Sequence, residues 1–251
     1  MDISDFFQKG DLKNLKFERR NDNELKKVSE GVFDKQSLIT LSRLARKEDI
    51  TEFRSVIKRG KEANIFYGKK GRREIAVKIY SVEALDFRTM SKYIVGDPRF
   101  SDTKNRRQLI YQWAQKEFKN LSRIQDVVEC PEPIAVLNNI LVMEFIGKKG
   151  VPAPEIKDVQ LDRPQEYFDM ILKYVKAMYA RNLVHADLSE YNILDYNGPV
   201  LIDFSTGVLL EHPLALEFLE RDLRNVLKFF EHKYGLKKEF NKVLEYVKSG
   251  N

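Results

Sequence analysis

His185-Ala-Asp187-Leu-Ser-Glu-Tyr-Asn192-Ile-Leu, followed by Val200-Leu-Ile-Asp203-Phe, is the stretch that decides the fold. It places His-x-Asp-x-x-x-x-Asn on a loop and a second carboxylate at the end of an apolar strand. Such a loop can set one carboxylate beside an acceptor hydroxyl and one amide oxygen on a metal ion. Asp203 emerges after Val-Leu-Ile, where a metal carboxylate is expected. Asn192 and Asp203 together offer hard oxygens that suit magnesium. Each residue taken singly could be an ordinary polar loop group; the order of the three, with apolar flanks, carries the signal. His185 is expected to be structural rather than an acid or base. His212 and His232 read as surface or packing residues.

Upstream, Glu74-Ile-Ala-Val-Lys-Ile-Tyr80 alternates as a strand does. Ile75, Val77 and Ile79 share one face, Ala76 and Lys78 the other. An ammonium held on a strand can pair with phosphate oxygens; an exposed strand lysine is the plainer alternative. A helix expected from about Arg107 to Asp126 bears on that choice. Ile110, Trp113, Ala114, Leu121 and Ile124 form its apolar stripe, and Glu117 lies four positions from both Trp113 and Leu121. Glu117 therefore points with the stripe. A carboxylate there needs a partner, because burying it unpaired is costly, and Lys78 is the candidate.

Val56 to Gly68 reads as strand, turn, strand, with Gly60-Lys61-Glu62-Ala63-Asn64 at the turn. Glycine lets a backbone approach phosphate oxygens. Gly60, Lys61, Glu62 and Ala63 are thus candidate nucleotide contacts, although only Gly60 and Gly68 are present and a Gly-x-Gly-x-x-Gly pattern fails. Met143-Glu144-Phe145-Ile146 closes the last strand before a break. The backbone of Glu144 and Ile146 could bond an adenine edge; a simple strand end is the alternative.

The chain divides by composition into 1–50, 51–146 and 147–251. The first part is polar and mostly helical in pattern, with a capped start at Asp34 and an apolar face of Leu38, Leu41, Leu44 and Ala45. A nucleic-acid-binding helix-turn-helix competes there, but no second recognition helix follows. Residues 81–108 are charged, irregular and rich in turn formers, which marks a functional or flexible insertion. Residues 147–154 read as a hinge with no periodicity. An amphipathic helix over 163–182 (Phe168, Ile171, Leu172, Val175, Met178) delivers the chain to His185, and residues 213–248 read as helical.

The bulk numbers set limits. At 251 residues with 43% hydrophobic content, the chain can bury a core as one large domain or two lobes. Charged residues make up 33%, against about 25% in an average domain. The net charge of +6 is compatible with an RNA or ribonucleoprotein partner without requiring one. A single cysteine, Cys130, excludes an intrachain disulfide, and no Cys/His spacing suggests zinc. No apolar run of about 18 residues and no signal-peptide pattern is present. A cytoplasmic protein is expected.

Gly60-Lys-Glu-Ala-Asn-Ile-Phe-Tyr-Gly68, Ala76-Val-Lys78-Ile-Tyr80, the His185–Leu194 loop and Ile202-Asp203 together resemble the RIO family of atypical serine kinases. Ala63-Asn64 and the run from Asp203-Phe-Ser to His212-Pro-Leu-Ala-Leu-Glu-Phe-Leu-Glu-Arg-Asp222 are similar to its type-one branch, of archaeal kind. The resemblance covers the chain from about Thr51 onward. It implies an α+β, two-lobed protein-kinase-like fold, with an antiparallel-sheet N-lobe and a reduced helical C-lobe. It implies ATP with Mg2+ or Mn2+, serine autophosphorylation, and a role in maturing the small ribosomal subunit, whose protein or rRNA would be the partner; a monomer is expected. By motif position, Lys78 becomes the phosphate-binding lysine, paired with Glu117, and Asp187 the catalytic base. Asn192 and Asp203 become the metal ligands, and Glu144 and Ile146 the adenine contacts. Asp203 also becomes a candidate nucleophile for an acyl-phosphate. Ser91, Ser101 and Thr103 are candidate autophosphorylation sites. Asp203-Phe-Ser stands where signalling kinases carry Asp-Phe-Gly, and His212 follows Asp203 by only nine positions. That disfavours a peptide-docking platform and favours an ATPase-type switch. A small-molecule phosphotransferase and a pseudokinase scaffold are the alternatives.

Overall fold

Alternating apolar residues mark the stretch from Ile50 to Tyr80, and a sheet results. The computed structural model describes residues 16–17, 34–81, 87–100, 103 and 105–249. Strands β1 (Lys16–Phe17), β2 (Ile50–Arg59), β3 (Ala63–Lys70), β4 (Arg73–Tyr80), β5 (Pro133–Leu137) and β6 (Ile140–Glu144) form one sheet in the order β1-β2-β3-β4-β6-β5. All neighbours are antiparallel except the short β1–β2 pair. The chain falls into two compact units. One comprises Met1–Phe87, Thr103–Phe118 and Pro133–Pro152; the other comprises Arg88–Asp102, Lys119–Glu132 and Ala153–Asn251.

In the first unit, helix α1 (Lys35–Lys47) lies on the sheet. Asp34 caps it, its carboxylate accepting from the Ser37 amide at 2.8 Å, so an otherwise unpaired helix N–H is satisfied. Leu41, Leu44 and Ala45 share one core with Phe53, Phe66, Ile75, Val77, Ile79, Ile140 and Val142. Removing such side chains from water is worth roughly 1.5–3 kcal/mol each. The expected helix start is therefore present. The expectation that 1–50 is mostly helical does not hold at 16–17, where the backbone pairs with β2 as a strand. Residues 1–15 and 18–33 lie outside the described residues.

Two further expectations change. Residues 147–154 are not an irregular hinge throughout: β7 (Gly147–Lys148) and β8 (Val151–Pro152) pair as a small hairpin. Positive φ at Lys149 (53°) and Gly150 (78°) turns the chain tightly enough for a two-residue loop. Nor is 81–108 irregular throughout: Phe87–Ile94 is helix α2. Met90, Tyr93 and Ile94 follow helical spacing and are buried. Residues 82–86, Ser101, Asp102 and Lys104 lie outside the described residues.

Helix α3 (Arg106–Ile124) follows. The five stripe residues expected from sequence are all buried. The second unit adds α4 (Pro164–Ala180), a hairpin of β9 (Ile193–Asp195) and β10 (Pro199–Leu201), α5 (Ala215–Tyr234) and α6 (Phe240–Lys248). Gly235, in the left-handed conformation, ends α5, so the expected run from 213 to 248 is two helices. Phe168 of α4 stacks on Phe230 of α5 with centroids 4.6 Å apart. No helix among the described residues is long and apolar enough to cross a membrane.

Glu74 ties β4 to the β7–β8 turn. Its carboxylate accepts from the Tyr67 hydroxyl (2.6 Å) and from the amides of Gly150 (2.8 Å) and Lys149 (3.1 Å). Burial acts to raise its pKa, but these donors outweigh it and hold the carboxyl below its usual value of 4.5. A depressed carboxylate stabilises the fold above the unfolded pKa and loses that contribution as pH falls through the folded one. Glu74→Gln should cost about 1–2 kcal/mol at pH 7. In urea denaturation at stepped pH, the gap between wild type and variant should shrink below pH 4.5; a gap that stays constant would show that the charge contributes nothing.

Candidate active site

Strand alternation turns Lys78 away from Ile75, Val77 and Ile79, and the lysine is buried at 5% exposure. Its Nζ donates to Glu117 Oε1 at 2.9 Å. Glu117, on α3, is 1% exposed. The Tyr80 hydroxyl donates to the other carboxylate oxygen, and Lys78 Nζ lies 5.2 Å from the Tyr80 ring centre. Both Glu117 oxygens are thus engaged, which a buried carboxylate requires. The pairing expected from sequence is present. Tyr80 was not anticipated, although a tyrosine two positions after Lys78 on the same strand face is a readable signal.

Gly60 occupies the turn between β2 and β3. Its amide donates to the Ala63 carbonyl at 3.0 Å, and a Cβ at position 60 would meet that oxygen at 2.9 Å. The turn is therefore tight enough to demand glycine. Gly60 and Lys61 are exposed, while Ala63 is buried opposite Tyr80 in the β3–β4 ladder. The Glu62 carbonyl accepts from the Ser81 amide at 3.0 Å. At the far end of the sheet, Glu144 pairs with Ile75 as the last residue of β6. Phe145 is buried edge-on against Tyr67, with centroids 5.1 Å apart, and Ile146 is half-buried just before the β7–β8 hairpin. All these candidates belong to the first unit.

Asp187, Asn192 and Asp203 belong to the second unit. Their loops contain little regular pairing, and side chains supply the missing partners. Asp222, buried in α5, accepts from the amides of Ala186 (2.7 Å) and Leu188 (3.0 Å), one on each side of Asp187. Arg221 donates to the Ala186 carbonyl, and Asn225 Nδ2 to the Leu188 carbonyl at 3.1 Å. Ala186 sits at φ +63°, a conformation that a non-glycine residue holds only when its surroundings impose it. His185 is buried, its Nε2 3.1 Å from the Ile202 carbonyl and its ring 4.5 Å from that of Phe204. It packs, as expected, and so does His212, which stacks on Phe218.

Asn192 Nδ2 donates to the Asp187 carbonyl (2.8 Å) and to Asp187 Oδ2 (3.2 Å). Because the amide nitrogen faces Asp187, its oxygen faces the other way and is available to a cation. Asp203 is at φ +63° and its Oδ1 accepts from the Ser205 hydroxyl at 2.8 Å. The Asp187 side chain reaches solvent, yet lost hydration on its protein side raises its pKa. The negative charge of Asp203 adds to the rise; Arg221 and the Asn192 hydrogen bond oppose it. Burial likewise pushes Asp222 up to about 8 against its two amide donors. Two carboxylates that repel one another, beside an outward amide oxygen, fit a divalent metal with a preference for hard oxygen ligands. Sequence patterning assigned no role to Asp222, Arg221 or Asn225.

Of the candidate phosphoacceptors, Ser101 and the side chain of Ser91 lie outside the described residues. Thr103 accepts from the Asn105 amide at 3.2 Å and bonds Gln108 at 2.9 Å, just before α3 begins.

Comparison with known proteins identifies the family and the fold. The RIO domain family matches residues 64–243. The RIO-type serine/threonine-protein kinase Rio1 of Methanocaldococcus jannaschii is 46% identical over 222 residues, covering 87% of this chain and 76% of that protein. The Rio1 kinase of Thermoplasma acidophilum is 41% identical over 186 residues, covering 73% of this chain and 98% of that one. The human serine/threonine-protein kinase RIO1 is 38% identical over 91% of this chain, which spans 42% of the human protein. Among solved structures, the Rio2 kinase–ADP/Mg2+–phosphoaspartate complex from Chaetomium thermophilum superposes with a TM-score of 0.66 at 20% identity, covering 89% of this chain and 74% of that one. The sheet-bearing unit and the helical unit are those of a kinase-like α+β fold, and the chain belongs to the RIO family of atypical serine/threonine kinases, in its Rio1 branch.

Proposed function

We propose that this kinase binds ATP with Mg2+, Mn2+ serving as a substitute, and transfers the γ-phosphoryl group to a serine of its own chain. The observation that carries the reading is the Asp187–Asn192–Asp203 cluster: a solvent-reaching carboxylate, an outward amide oxygen and a second carboxylate held on strapped loops. Lys78 would pair with phosphate oxygens, and Glu117 with Tyr80 would hold it there. Gly60 to Ala63 would cover phosphates, and the backbone of Glu144 and Ile146 would meet the adenine edge. Asn192 and Asp203 would hold the metal, which when bound neutralises charge on the phosphates. Asp187, its pKa raised by lost hydration and by Asp203, is suited to accept the hydroxyl proton as the serine oxygen bonds to phosphorus and ADP leaves.

In the cell, we infer a nucleotide-controlled step in maturation of the small ribosomal subunit, in the cytoplasm, by a monomer. Membership of the RIO family and the net charge of +6 support that reading. So does the short passage from Asp203 to His212. Val208, five positions after Asp203, pairs with Val184, and Pro213 packs within the second unit against Gly96, where a Cβ would meet its ring at 2.8 Å.

Lys78→Met should abolish ATP turnover and also cost about 3–5 kcal/mol, because Glu117 is left buried without its cation. Lys78→Met combined with Glu117→Gln should recover most of that stability and none of the turnover, read by urea midpoint and ATPase assay. Recovery of both would mean that Lys78 is only structural. Asp203→Asn should abolish magnesium-dependent turnover; an unaltered rate would remove it from the metal site. In a single turnover with γ-labelled ATP, protein-bound label should survive acid as phosphoserine does. Label released by mild base would instead place the phosphoryl group on Asp203.

A further inference from the structure

Within the second unit, a buried polar relay runs from residues 97–99 to the loop that carries Asp203. Asp97 is buried and holds Arg99: its Oδ1 accepts from Arg99 Nε at 2.9 Å and its Oδ2 from Nη2 at 2.7 Å. Asp97 also accepts from the Arg99 amide at 3.0 Å, so the guanidinium is fixed at both ends of its residue. Arg99 Nη1 then donates to Asn120 Oδ1 at 2.7 Å. Asn120, fully buried on α3, donates through Nδ2 to the carbonyls of Phe204 (2.8 Å) and Gly207 (2.9 Å).

The amide orientation is unambiguous. A guanidinium only donates, so it demands the oxygen; two carbonyls only accept, so they demand the nitrogen. Arg99 therefore sets which way Asn120 points. Phe204 and Gly207 are the two ends of a turn closed by the Gly207 amide on the Phe204 carbonyl at 3.1 Å. Asn120 thus clamps both ends of the turn immediately after Asp203, which is itself held at φ +63°. Gly207 supplies an independent sign of the same contact. A Cβ there would meet Asn120 Nδ2 at 2.8 Å, so glycine at 207 is what lets the amide reach both carbonyls.

We propose that Arg99 and Asn120 are positioning residues for the metal site, with Asp97 and Gly207 holding them in place. They touch neither nucleotide nor metal; they hold the Asp203 loop in its metal-binding shape. The proposal rests on Asp203 being a metal ligand, and a magnesium-binding measurement separates the two. ADP affinity is measured by displacement of a fluorescent ADP analogue, with and without Mg2+, on the full chain. Outer-shell partners of metal ligands typically matter by about 10- to 100-fold in metal affinity. Arg99→Ala, Asn120→Ala and Gly207→Ala should each lower the magnesium-dependent gain in ADP affinity by at least about tenfold. ADP affinity without metal should stay as in wild type. A purely packing role would lower the melting temperature and leave the magnesium-dependent gain intact, which would overturn the proposal. Should Asn120→Ala or Arg99→Ala fail to fold, Arg99→Lys carries the test, because it keeps a cation beside buried Asp97 and removes the Nη1 group that donates to Asn120. Asp203→Asn is the reference. If it keeps the full magnesium effect, the metal assignment itself fails. If it loses the effect while the folded relay variants keep it, only the relay fails.

Discussion

Buried backbone amides and carbonyls must find partners, and the loops of this kinase that carry Asp187 and Asp203 have almost no regular ladder to supply them. The second unit meets that constraint with side chains. Asp222 takes the amides on both sides of Asp187, Arg221 and Asn225 take the adjoining carbonyls, and Asn120 takes the carbonyls that follow Asp203. Each such bond replaces water that burial removed, and leaving one such group unmet costs about 1–3 kcal/mol. The left-handed backbone at Ala186 and Asp203 is tolerable only because these bonds over-determine it. The first unit applies the same rule to a single group: Glu117 is buried because Lys78 and Tyr80 occupy both its oxygens.

Charge placement follows from that scaffold. Asp187, Asp203 and Asp222 are held near one another, and Arg221 sets a positive charge against both Asp187 and Asp222. Asp187 and Asp222 are both shifted upward, each mainly by burial, and the charge of Asp203 adds to the rise at Asp187. Such an arrangement is costly in the bare protein and is relieved by a cation, which is how a metal site earns its affinity. A carboxylate with a raised pKa is also the better proton acceptor. The same electrostatic tension therefore serves both roles assigned to the cluster.

What could be read from sequence was whatever rested on local spacing. Lys78 was legible because β4 alternates, and Glu117 because it falls on the stripe of α3. Asp187, Asn192 and Asp203 follow one another at 5 and 11 positions along two adjoining segments. Asp222 and Asn120 were not legible in their roles. Their partners lie more than thirty positions away (34 and 36 for Asp222, 84 and 87 for Asn120), and no periodicity announces a side chain that serves a distant loop. Helix α2 was hidden by its short length and by the turn formers Gly96, Asp97 and Pro98 that follow it. The β7–β8 hairpin was hidden because each strand has only two residues and its turn begins on Lys149, not a residue that signals positive φ.

Those turn formers also explain why a segment that looks like a loose insertion carries structure. Asp97 accepts the Arg99 amide in the manner of an Asx turn, and the Phe100 amide donates to the Asp97 carbonyl at 3.2 Å. Tyr93 stacks on Phe218, with centroids 5.1 Å apart, so α2 is packed against α5. The stretch from Asp203 to Pro213 is bounded by Asn120 at its start and by Gly96 near its end. In ordinary signalling kinases that position gives rise to a mobile activation segment; here it is spent on contacts within the unit. A loop so engaged has little freedom to order around a peptide substrate. That engagement is what supports the nucleotide-controlled step proposed above, in which the state of a group at Asp203 would be the variable.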